Sequence, residues 1–155
     1  RMFRKILLAY DGSEGANRAL KMGLELARIH GAALFALVVQ EKLPRFSATI
    51  DEVKEEKEFA DRHARRILEE ARKEALREGV ELQTIVRPGH PAKTIIEVAR
   101  EGSFDLLLVG ASGLSGVWRF LGATAEKVIR HAPCSVVIVR PEGPESDLKG
   151  GPDAA

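Results

Sequence analysis

The sequence is short of cysteine, aromatic rings, net charge and long apolar runs, and each shortage closes a class of function. Cys134 is the single cysteine in 155 residues, so no internal disulfide forms and a reducing, cytoplasmic setting is expected. Six Phe, one Trp and one Tyr are too few for platforms on which single-stranded bases stack. Lys and Arg total 24 against 23 Asp and Glu, a net charge of +1, so nucleic acid is not an expected partner. The longest apolar run, Ala32–Val39, falls far below the ~20 residues that span a bilayer. The N-terminal apolar run is cut at Asp11, so a signal peptide is not expected. His30, His63, His90 and His131 include no pair at helical i,i+4 spacing, so no zinc site is expected.

What is present is alternation. Five short apolar runs recur: Lys5–Tyr10, Ala33–Val39, Glu81–Arg87, Asp105–Gly110 and Ser135–Arg140. Four are nearly continuous in apolar residues, as parallel strands covered on both faces are; Glu81–Arg87 alternates and reads as an edge. Between them, Ser13–His30, Asp51–Glu78, Pro91–Glu101 and Gly122–His131 each carry an apolar stripe at helical period. Ser13 stands where an N-cap belongs, Gly31 and Gly79 where helices stop, and Pro91 in a first turn. The order βαβαβαβαβ predicts an α/β, Rossmann-like fold: an open five-stranded parallel sheet, order 3-2-1-4-5, with helices on both faces. Residues 1–140 form the expected domain. The Gly, Pro and acid-rich stretch 141–155 is expected to be a disordered tail, and Gln40–Ile50 a mobile lid.

In such a sheet a ligand binds beyond the strands' carboxyl ends, where the strand order reverses. Here that is between the first and fourth strands, whose ends read Ala9-Tyr10-Asp11-Gly12-Ser13 and Val109-Gly110-Ala111-Ser112-Gly113. Glycines let backbone approach an anion, and the helix opening at Gly122-Ala123-Thr124 offers unpaired N–H groups. Neither the Walker A pattern nor the dinucleotide fingerprint is present. On spacing alone the Gly-x-x-Gly is as compatible with an empty turn.

The stretches KILLAYDGSE, RPGHPAKTIIEVARE, FDLLLVGASGLSG and GATAEKVIRHAPCSVVIVR resemble the universal stress protein family across about Phe3–Arg140. The resemblance implies a cytosolic homodimer in stress response, a sensor or adaptor that binds ATP in some members and no nucleotide in others. It places an adenine nucleotide (ATP, ADP or AMP) against Ala9, Tyr10, Asp11, Val38, Val39, Val109, Gly110, Ser112, Gly113, Gly122, Ala123 and Thr124. Asp11 would take a ribose hydroxyl or, indirectly, Mg²⁺. Dimer pairing would run through Val136, Val137, Ile138 and Val139, whose apolar edge otherwise lies open.

Nucleotide-binding members carry Gly-x2-Gly-x9-Gly-(Ser/Thr). Gly110 and Gly113 fit the first pair. Aligning Gly122 with the third glycine leaves the loop one residue short and puts Ala123 where the hydroxyl belongs, with Thr124 next to it. Losing one donor to a charged phosphate costs ~1.5–3 kcal/mol, which weakens binding without abolishing it. The alternative is a dimeric interaction protein of the same fold with an empty cleft. No general base or lysine stands near the cradle, so at most slow hydrolysis is expected. A phosphoacceptor receiver domain is disfavoured, because its aspartate is missing where the third strand ends at Val86-Arg87-Pro88.

Overall fold

The computed structural model describes residues 2–41, 49–111 and 123–141. Within them the elements run β1 (Lys5–Ala9), α1 (Glu14–His30), β2 (Ala33–Gln40), α2 (Ile50–Arg77), β3 (Leu82–Pro88), α3 (Pro91–Glu101), β4 (Leu106–Gly110), α4 (Ala123–His131) and β5 (Ser135–Val139). The lid expected at Gln40–Ile50 falls mostly on 42–48, and the expected tail on 142–155, both outside the described residues.

Local chemistry sets the helix ends. The Ser13 hydroxyl accepts the Ala16 N–H at 3.2 Å, and Gly31, at φ 62°, closes α1 in the left-handed region. Thr49 caps α2 through the Glu52 N–H at 3.1 Å. Pro91 opens α3, where a missing N–H leaves nothing unpaired.

The sheet is parallel in the order β3-β2-β1-β4-β5, as the alternation predicts. Strand pairing fixes a parity. Ile6 stands beside Leu106 and Leu8 beside Leu108, and these even-numbered residues pack under α1 and α2 with Leu20, Ile67 and Leu68. The odd-numbered Leu7, Leu37, Leu107 and Val109 pack under α3 and α4 with Ile95, Val98 and Val128. Leu106, Leu107 and Leu108 are fully buried, so β4 is covered on both faces. Burying each such side chain contributes about 1.5–3 kcal/mol.

At the opposite end from the strands' carboxyl termini, the Asp105 carboxylate accepts the backbone N–H groups of Arg4 (2.8 Å) and Lys5 (3.1 Å). Lys5 Nζ donates to the Gly102 carbonyl at 2.5 Å and lies over the Phe35 and Phe104 rings. That cluster clamps β1 to β4.

Two stripes differ from the sequence pattern. Ala60 belongs to the apolar stripe of α2, yet burial begins only at Ala64, and Ile50 (87%) and Phe59 (68%) stay exposed. The reason is length. Twenty-eight helical residues span ~42 Å, whereas the eight residues of β2 span ~26 Å, so α2 outruns the sheet. On α4, Ile129 is 45% exposed, because that short helix buries only Ala125 and Val128.

Candidate functional site

α1, which follows β1, and α4, the next described element after β4, pack on opposite faces of the sheet, and a crevice opens at the carboxyl ends of the two strands. Its floor is held by two glycines. A Cβ at Gly110 would strike the Gly15 carbonyl, and one at Gly15 would come within 2.5 Å of the Ala111 oxygen. Both obstacles are backbone and cannot swing away. The first turn of α1 therefore lies directly on the end of β4 because neither position carries a side chain. The Ala111 N–H is tied to the Val139 carbonyl at 2.8 Å, which extends the same platform to β5.

The crevice is a groove of about 800 Å³, the size of a small-ligand pocket. Of the residues singled out from the sequence, Ala9, Tyr10, Asp11, Val39, Val109, Gly110, Ala123 and Thr124 line it together. Ser112, Gly113 and Gly122 lie outside the described residues.

Val38 is placed apart from the others. Its side chain is buried in the layer under α1 and α2, not in the groove. Strand parity is the cause: Val39 and Leu37 face α3, so the apolar wall is built from them with Pro91 and Ile95. Ser13 and Ala111, in the two strand ends, line the groove as well; sequence reasoning passed over Glu14, Gly15 and Ala16 in the first turn of α1, Glu41 after β2, and Ala125. Leu37 stands two residues before Val39 and so shares its face of β2, which was the signal for it. Nothing in the sequence pattern marks Glu41.

The Asp11 carboxylate accepts the Ser13 N–H at 2.9 Å, which shapes the turn out of β1. Among the described residues no group of three or more His, Cys, Asp or Glu is arranged to hold a metal ion. Tyr10 sits under the turn, and its hydroxyl donates to Asn17 Oδ1 at 2.6 Å. Burial pushes the phenol pKa up, reinforced by the nearby Glu74, Glu70 and Asp11 carboxylates.

A second hollow, about 480 Å³, lies behind the turn between Tyr10, Asn17 and the α2 residues His63, Arg66, Glu70 and Glu74. There Arg66 Nη2 donates to His63 Nδ1 at 3.1 Å. On the far edge, Val136, Val137 and Ile138 are half-buried and Val139 is buried; among the described residues β5 pairs only with β4.

The sequence and the architecture match those of known proteins. The Universal stress protein family profile matches residues 2–140. The chain belongs to that family. A universal stress protein of Thermus aquaticus, from the QAH/OAS sulfhydrylase 3'region, is 36% identical over 146 residues, covering 90% of this chain and 100% of that one. Universal stress protein YxiE of Bacillus subtilis is 34% identical over 151 residues, again covering 90% and 100%. Among solved structures, universal stress protein UspA from Lactobacillus plantarum superimposes with a TM-score of 0.81 at 28% identity, covering 90% of this chain and 99% of that one. A universal stress protein in complex with cAMP superimposes with a TM-score of 0.66 at 25% identity, covering 90% and 98%. No helix among the described residues is long and apolar enough to cross a membrane.

Proposed function

We propose that this universal stress protein binds an adenine nucleotide in the groove between β1 and β4 and works as a homodimeric sensor or adaptor. The observation that carries the reading is convergence. Asp11, the Gly110–Ala111 strand end and the Ala123–Thr124 helix start meet on one groove whose other wall is apolar. An adenine ring suits the slot of Leu37, Val39, Pro91 and Ile95. A ribose hydroxyl suits Asp11, and the helix starts of α1 and α4, whose first-turn amides have no intrahelical partner, suit a phosphate oxygen. The solved universal stress protein in complex with cAMP supports the same ligand class.

Hydrolysis is not the role this lining favours. Among the described lining residues there is no lysine, arginine or histidine to stabilise a transferring phosphoryl group or relay a proton. Dimerisation through β5 is supported by its half-buried Val136, Val137 and Ile138 on an edge that pairs with nothing else described.

One observation favours the second reading, a dimeric interaction protein with an empty cleft: Ala123, not a hydroxyl residue, opens α4. Thr124 lines the groove beside it and offsets the loss. Calorimetry with adenosine, AMP and ATP separates the two. The nucleotide reading predicts saturable heat with at least one of them, and silence from all three at millimolar concentration leaves the empty-cleft reading.

A further inference from the structure

The charged side chains on the described groove wall are all of one sign: Asp11, Glu14 and Glu41. Among the described residues, positive charge faces them from two sources. The starts of α1 and α4 each present roughly half a unit of positive partial charge. The Arg18 guanidinium lies behind Gly15, with Nη2 3.8 Å from where a Gly15 Cβ would project, and does not line the groove. Among the described residues, three full carboxylate charges therefore outweigh the partial charges of two helix starts and one guanidinium set back from the wall. Asp11 has work in the turn through its bond to the Ser13 N–H. Glu14, the first residue of α1, and Glu41, which follows β2, are exposed.

Resting on the nucleotide reading above, we infer that the groove discriminates by phosphate charge. Without a divalent cation it takes adenosine and AMP in preference to ATP, and Glu14 and Glu41 are the carboxylates that impose the preference. Each added phosphate brings negative charge toward negative charge. The repulsion is long-range and partly through solvent, so it amounts to factors of a few per phosphate, not to exclusion. Its sign gives it a diagnostic: salt screens repulsion, so ATP binding strengthens as ionic strength rises. A site that attracts polyphosphate weakens instead.

The test is calorimetry in EDTA with adenosine, AMP and ATP on the wild type and on Glu14→Gln, Glu41→Gln and the double variant. Titrations run at about 0.01 M and about 0.1 M salt, across which the Debye length falls from about 30 to 10 Å. AMP is expected to bind roughly three- to tenfold more tightly than ATP at the lower salt, with ATP gaining affinity at the higher. The double variant is expected to raise the ratio of ATP to adenosine affinity about threefold or more. ATP binding more tightly than AMP at low salt, ATP weakening with salt, or an unmoved ratio in the double variant overturns the charge selection and leaves the nucleotide reading standing. If neither adenosine nor AMP binds the wild type, the nucleotide reading itself fails, and the selection with it.

Discussion

Replacing Gly110 by alanine is the sharpest probe of how the groove is built. The new methyl would meet the Gly15 carbonyl carbon and oxygen and, at 3.0 Å, the Ala16 nitrogen. All three are backbone atoms inside the first turn of a capped helix, so no rotamer relieves the clash. The start of α1 has to lift off β4 by about 1 Å, which loosens Ala16 and Ala19 against the sheet. Overpacking of this kind costs about 1–3 kcal/mol. For a chain of this length that lowers Tm by roughly 3–10 °C.

Gly79→Ala is the matched control. That position has φ +73° but open space around it, so only the left-handed backbone penalty of about 1 kcal/mol applies. Urea unfolding followed by circular dichroism, with unchanged slope, measures both. If Gly110→Ala is no more destabilising than Gly79→Ala, the close approach of α1 to β4 does not exist in solution.

Three further outcomes follow from named contacts. Asp105→Ala strips the acceptor from the Arg4 and Lys5 N–H groups and should cost about 1–3 kcal/mol in the same urea assay. Tyr10→Phe removes the bond to Asn17 and should cost about 0.5–1.5 kcal/mol at neutral pH. Because the folded phenol titrates above its ordinary 10.0, the wild type keeps this stability below pH 10 and loses it as pH rises through the raised folded value. Melts of the Tyr10→Phe variant over the same range should lack that alkaline loss. Sedimentation velocity should give a particle of twice the chain mass, and Val137→Asp on β5 should shift it toward one chain mass, whereas a wild-type monomer at all concentrations would refute pairing through that edge.

Much of the architecture was legible because each local signal agreed with its neighbours. Ser13, Gly31 and Pro91 mark helix ends by the hydrogen bonds they make or lack, and near-continuous apolar runs mark strands buried on two faces. The switch-point rule puts Asp11 opposite Gly110, and both line the groove. What the sequence did not reveal depends on direction and reach. Val38 and Val39 are alike in composition, and only parity against β1 tells which of them faces α3. Gly15 looks like an ordinary early-helix residue until β4 is laid against it. Ala60 matches a buried stripe, but the sheet ends before it can cover that turn of α2.

The most direct measurement of whether a nucleotide occupies this groove is a ¹⁵N–¹H correlation spectrum of the assigned protein titrated with adenosine and AMP. Amides of Tyr10–Ala16, Gln40–Glu41, Gly110–Ala111 and Ala123–Ala125 should shift together and saturate at one concentration. Shifts confined to the α2 hollow or the β5 edge, or none at millimolar ligand, would contradict a nucleotide site between β1 and β4.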